Sequence, residues 1–259
     1  MAPLGQFILL GDSLTQGSHS QKDGFALAAE LQNAYVRRLD IVNRGFSGYN
    51  TDHILTVLAD VLPTPQQAKI QFLTIWFGGN DSNQTGTIGQ FVPLDRFRSN
   101  LAEIVWNRSV AAHSPNVVLI TPPPIEETLM CETDVNIASG KLELGQHAVD
   151  AKAYAQAVKE TGIITGVPVV DIWGKFMEMA GWKEGQPLPG TKSLGKNGVL
   201  VRLLSDGLHL TPEGYNVVFD ELLKVLKKEY PDYPPYQMPY VVKVPWERSR
   251  GNEFWDIAE

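Results

Sequence analysis

Residues 70–77 (IQFLTIWF) are the most apolar run in the chain and narrow the folds open to it. A run this short, rich in β-branched and aromatic residues and without strict polar alternation, reads as a central strand buried on both faces. Such a strand belongs to a parallel sheet held between two layers of helix. Shorter runs at 6–11, 40–45, 117–120 and 167–172 read as four further strands.

Helical patterns separate them. In 25–38, the apolar residues Phe25, Leu27, Ala28, Leu31, Ala34 and Tyr35 share one face. Thr51 or Asp52 caps a helix that runs to Leu62, which Pro63 and Pro65 end. Further helices are predicted over 94–112 and 144–165, with a short one from Trp173 to Trp182. Thr211-Pro212-Glu213 starts the last, which runs to Lys228: Thr as cap, Pro at the first position, an acid in the first turn. Residues 126–140 and 183–198 read as loop. The pattern predicts an α/β fold with a five-stranded, mostly parallel sheet, no internal repeat and one body over residues 1–230.

The tail 231–259 differs. Pro231, Pro234, Pro235, Pro239 and Pro245 make it a poor helix or central strand. Val241, Val242, Val244, Trp246, Phe254 and Trp255 argue against a free disordered tail. It is expected to pack on the body or on a second subunit.

Composition removes several classes of function. Net charge is −7 and no Lys/Arg cluster stands out, so nucleic acid is not an expected partner. The one cysteine, Cys131, excludes an intramolecular disulfide and reads as an ordinary free thiol in a polar stretch. The first apolar run ends at Gly11, too short for a signal peptide or a membrane span, and the expected location is cytoplasmic. His19, His53, His113 and His147 show no metal-ligand spacing, so no metal or other cofactor is expected.

Ligands of an open parallel sheet bind outside the C-terminal ends of its strands. Three strands end in suggestive residues: Gly11-Asp12-Ser13-Leu14 after the first, Gly45-Phe46-Ser47-Gly48 after the second, Gly78-Gly79-Asn80-Asp81 after the third. Asp206-Gly207-Leu208-His209 precedes the last helix. Gly, Asp and Ser are ordinary turn residues, and the first block alone reads as a capped turn. Together the blocks supply what acyl transfer requires. Ser13 is the candidate nucleophile, His209 the base and Asp206 the group that orients it. The backbone N–H groups of Ser13 and Gly48 and the amide of Asn80 are the candidate oxyanion donors. Asp12 and Asp81 have no histidine close in sequence and read as backbone-bonding residues. Trp76, Phe77 and Tyr49 either line or support a pocket, or simply pack the core, and Asn83 is placed to touch substrate.

These blocks, in this order, resemble those of the SGNH (GDSL-type) esterases and lipases. Asn43 to Thr51, Val92-Pro93-Leu94, Ile120-Thr121-Pro122 and Ser205 to Leu210 are similar to the isoamyl acetate-hydrolysing branch, over roughly residues 6–230. Gly79 departs from the branch, which has Ala there, and Gln84–Gly89 and 183–198 look longer. The resemblance implies a flavodoxin-like three-layer α/β/α sandwich and metal-free hydrolysis of short-chain, acetate-type carboxylic esters through an acyl-enzyme. It also implies a small-molecule ester as partner and a homodimer. Two other readings stay open. One is an acyltransferase or a carbohydrate or lipid deacetylase with the same residues. The other is a flavodoxin-like binding module without turnover, although the chain lacks a G-x-G-x-x-G loop after its first strand and a P-loop.

Overall fold

The computed structural model describes residues 4–85 and 89–241. In chain order the elements are β1 (Gly5–Gly11), α1 (Ser13–Gly17), α2 (Leu27–Ala34), β2 (Leu39–Gly45), α3 (Thr51–Val61), β3 (Ile70–Trp76), α4 (Leu94–Trp106), α5 (Arg108–Ala111), β4 (Asn116–Ile120), α6 (Glu127–Thr133), α7 (Val135–Ala138), α8 (Ala148–Thr165), β5 (Val169–Val170), α9 (Ile172–Met179), a 3₁₀ turn at Lys192–Leu194, α10 (Gly198–Leu203) and α11 (Pro212–Glu229).

The five strands form one sheet in the order β2-β1-β3-β4-β5, and every pairing is parallel. Alternate residues of each strand feed opposite cores. Phe7 and Leu9 of β1, Phe72 and Trp76 of β3 and Val118 and Ile120 of β4 pack against α2, α9, α10 and α11. Ile8 and Leu10, Leu73 and Ile75, and Val117 and Leu119 pack against α3, α4 and α8. This is a three-layer α/β/α sandwich of flavodoxin-like order. The strand sequence reverses direction between β1 and β3, and at such a switch point the loops diverge and leave a crevice. The blocks holding Ser13 and Asn80 leave the sheet there.

Local differences from the sequence reading have local causes. The helix expected over 25–38 ends at Ala34, and the chain then turns through Arg37 at φ 61°. The helix expected over 94–112 breaks at Asn107, whose side chain accepts from Ser109 N–H and caps α5. Asn50, rather than Thr51 or Asp52, caps α3, in a reciprocal box with His53. The expected loop 126–140 holds α6 and α7, capped by Glu126 and Asp134. The loop 183–198 holds the 3₁₀ turn and gives way to α10, capped by Asn197. The fifth strand shrinks to two residues.

After α11 the chain folds back on the body. Tyr230, Tyr233, Tyr236 and Met238 pack against the α2/α11 core. The Arg38 guanidinium donates to the carbonyls of Tyr236 and Met238. It lies 4.3 Å from the Tyr240 ring centroid. Val242, Val244, Trp246, Phe254 and Trp255 lie outside the described residues. Among the described residues, no helix is long and apolar enough to cross a membrane.

Candidate active site

β1 delivers the chain to Asp12, which caps α1 by accepting from Leu14 N–H at 2.9 Å. Ser13 is therefore the first helical residue, where a backbone N–H has no intrahelical acceptor. Its Oγ lies 2.9 Å from His209 Nε2, and His209 Nδ1 lies 2.7 Å from Asp206 Oδ2. The three residues thus form one hydrogen-bonded chain across a sequence separation of 196 residues. The Ser13 hydroxyl donates to the imidazole, which donates to the carboxylate.

The turn carrying Asp206 and His209 is built tightly. Asp206 Oδ1 accepts from the N–H groups of Leu208 (3.0 Å) and His209 (2.8 Å). Ser205 donates to the His209 carbonyl from both its N–H (2.7 Å) and its hydroxyl (3.1 Å). Gly207 sits at φ +95°, and a Cβ there would lie 2.5 Å from the Glu126 carbonyl oxygen. Both the positive φ and the contact require Gly.

Electrostatics follow from these contacts. The hydrogen bond to Asp206 raises the His209 imidazole above its usual range, against partial burial; the charges of Asp206 and Asp12 add to the rise. Burial works to raise Asp206, but the hydrogen bond and charge of His209 overcome it and hold the carboxyl below the ordinary range.

Asn80 projects from the turn after β3. Its Nδ2 donates to the Tyr49 carbonyl at 2.8 Å, which leaves one amide proton for a ligand. Gly48, at φ +82°, lies in the facing turn after β2. Gln90 ties the two together: its Nε2 donates to Gly48 O (3.1 Å) and to Asn80 Oδ1 (3.2 Å), and its Oε1 accepts from Asn83 Nδ2 (2.9 Å). The Ser13 turn is pinned to β2 and to the turn after it. Asn43 Nδ2 donates to Thr15 O (2.8 Å), and Ser47 N–H donates to Gln16 Oε1 (2.9 Å).

Gln90 did not emerge from the sequence, because a lone polar residue in a loop carries no periodic or motif signal. Gln146 was missed for the same reason; its Nε2 donates to Gly79 O at 2.6 Å.

Two buried carboxylates underlie the site. Burial pushes Asp12 up to about 7, with the charge of Asp81 adding to the rise, although the Leu14 N–H opposes it. Burial pushes Asp81 up to about 6, against hydrogen bonds from the Thr51 hydroxyl (2.5 Å) and N–H (2.9 Å). Both bind backbone, as their sequence context suggests.

The other expected pocket residues separate. Asn83 lines a cleft of about 380 Å³ that also contacts Asp206 and His209. Trp76 does not reach it. Strand alternation turns its side chain into the α2/α11 core, where the indole donates to Thr121 O at 3.0 Å. Phe77 is buried in the opposite core. The Tyr49 ring packs on Phe46 and His53, and its carbonyl is what meets Asn80.

The sequence profile of the GDSL-like lipase/acylhydrolase family matches residues 9–217, from β1 into α11. The chain belongs to this family. A GDSL esterase/lipase of Arabidopsis thaliana is 33% identical over 91% of this chain and 91% of its own. The isoamyl acetate-hydrolyzing esterase of Saccharomyces cerevisiae is 31% identical over 92% of each. A mouse homologue of isoamyl acetate-hydrolyzing esterase 1 is 34% identical over 90% of this chain and 85% of its own. The fold is shared with solved structures at lower identity. A lipase/acylhydrolase from Enterococcus faecalis superposes with TM-score 0.59 at 18% identity, covering 87% of this chain and 97% of its own. The acetyl xylan esterase AlAXEase superposes with TM-score 0.61 at 15% identity, over 85% and 99%. This GDSL family member is a carboxylic ester hydrolase.

Proposed function

We propose that this esterase hydrolyses small, acetate-type esters through an acyl-enzyme on Ser13. The observation that carries the reading is the unbroken Asp206–His209–Ser13 hydrogen-bonded chain. His209 takes the Ser13 proton as Oγ attacks the ester carbonyl, and Asp206 holds the imidazole in the tautomer whose Nε2 is free to accept it. The tetrahedral oxyanion is held by the N–H groups of Ser13 and Gly48 and by the second amide proton of Asn80. His209 then protonates the departing alcohol. Water activated by the same imidazole releases the acid and restores Ser13.

The acetate-type substrate is supported by relatives named as isoamyl acetate-hydrolyzing esterases. Pre-steady-state kinetics on p-nitrophenyl esters of increasing acyl length test the reading. A burst of p-nitrophenol that is lost in Ser13→Ala, with the highest kcat/KM on the acetate, is the expected result. Equal turnover by Ser13→Ala would overturn the assignment of the nucleophile.

A further inference from the structure

The cleft beside His209 is walled on one side by a segment outside the four catalytic blocks. Met130 of α6, Ile137 of α7 and Leu142 meet Leu208 of the catalytic turn across it. Leu142 stands 42% exposed. Apolar side chains gathered around an open cleft next to a nucleophile are positioned to be covered by an apolar part of the substrate. Met130 adds a flexible surface that adapts to chains of different shape.

The charged residues along this wall are of one sign. Asp134 and Glu143 line the cleft, and among the described residues no Lys or Arg does. Asp134 is fixed in place by accepting from the N–H groups of Asn136 and Ile137. An anionic group entering the cleft would meet these carboxylates and that of Asp206 with no Lys or Arg among the described lining residues to offset them.

The wall is braced against the catalytic turn. Glu126 N–H donates to Gly207 O at 2.9 Å, and the Thr133 hydroxyl donates to Asp206 O at 3.1 Å. The Glu127 carboxylate accepts from Ala148 N–H (3.0 Å) and Lys192 N–H (2.9 Å), which ties α6 to the start of α8 and to the 192 loop. A chain lying on Met130 and Ile137 therefore bears on a fixed surface.

We propose that this cleft seats an uncharged aliphatic chain of the ester, and that Asp134 and Glu143 exclude chains with an anionic end. The inference rests on the acyl-enzyme reading above. The chain comes from either side of the scissile bond, because acyl and alcohol portions both radiate from the carbon that Ser13 attacks.

Two ester series separate the sources. One holds ethanol constant and lengthens the acyl group from acetate to octanoate, with monoethyl adipate as the anionic partner of ethyl hexanoate. The other holds acetate constant and lengthens the alcohol from ethanol to octanol, with 6-acetoxyhexanoate as the anionic partner of hexyl acetate. The readout is the ratio of kcat/KM within a series. Leu142→Trp should lower the six-carbon to two-carbon ratio about tenfold in one series, and that series names the portion seated in the cleft. Glu143→Lys should raise the anionic to neutral ratio about fivefold in the same series. Both positions are at the surface, so the fold should tolerate the changes. Ratios within about twofold of wild type for both variants in both series would overturn the inference while leaving the acyl-enzyme reading intact. Failure of the wild type to turn over any ester would overturn that reading, and this inference with it.

Discussion

Gln90 Nε2 donates to Asn80 Oδ1 at 3.2 Å, so the amide proposed to bind the oxyanion is held from behind. The same nitrogen reaches Gly48 O at 3.1 Å, and one side chain thus spans both loops that supply proposed donors. Removing the brace leaves the donors present but less well oriented. Gln90→Ala should lower kcat about tenfold, the scale of one lost hydrogen bond, with KM little changed. Asn80→Ala should cost about a hundredfold to a thousandfold. Because Gln90 also holds Gly48, the double variant should be worse than Asn80→Ala, but by less than the roughly tenfold of Gln90→Ala alone, and steady-state kinetics on one ester for the three proteins checks all of this. Additive losses would show that Gln90 acts elsewhere.

The pH profile of kcat/KM should report His209. Its folded imidazole is raised by the bond to Asp206, so the acid limb should be centred above the ~6.5 of a free imidazole. Activity is low below that point, where the base is protonated, and rises with pH. Asp206→Asn removes the cause of the rise. The limb should then move to lower pH and kcat should fall about a thousandfold or more. A limb that stays in place would mean another group controls it.

Asp12 should make stability depend on pH. Its folded carboxyl is raised to about 7, so the folded state favours the protonated form. A raised carboxyl contributes fully below its unfolded value and weakens the fold as pH climbs toward 7. Asp12→Asn keeps an oxygen to cap Leu14 and removes the buried charge. Urea denaturation at pH 5 and pH 8 should show a smaller loss across that interval in the variant, by up to a few kcal/mol. An unchanged loss would show that Asp12 is not the group responsible.

Gly79→Ala should be tolerated. A Cβ there would sit 3.5 Å from Asp12 Oδ2 and from Leu208 Cδ1, ordinary contact distances, and the φ lies outside the left-handed region. The expected change is a gain of about 0.4–1 kcal/mol from the less flexible unfolded chain, with esterase activity retained. Thermal melting and one rate measurement suffice. A fall in Tm would indicate a clash that the geometry does not show.

Truncation after Tyr230 should destabilise the protein. It removes Tyr233, Tyr236 and Met238 from the α2/α11 core and the carbonyl acceptors of the partly buried Arg38 guanidinium. The loss should reach a few kcal/mol, because the apolar contacts of three side chains and two charge-assisted hydrogen bonds of Arg38 go together. A truncated protein with the melting temperature of the full chain would argue that the segment merely lies on the surface.

Much of this is readable in the sequence. Strand runs of 70–77 and 6–11 carry no strict polar alternation because both faces of each strand are covered, and that alone implies the three-layer sheet. The shared location of the Ser13, Gly48 and Asn80 blocks is legible because parallel strands bring their C-terminal ends to one rim. The Asp206–His209 contact is legible because a three-residue spacing across a Gly turn is a local geometry. Tertiary structure alone decided the rest. Gln90 and Gln146 act through hydrogen bonds to distant loops, and such bonds leave no period in the sequence. Trp76 went to the core rather than the cleft because strand register, not residue type, chooses its face. The cleft wall of α6 and α7 reads as loop in the sequence because its helices are short and polar. They are stable there because Glu126 and Asp134 cap them and the turn of Asp206 to His209 packs against them, contacts that exist only once the chain has closed on itself.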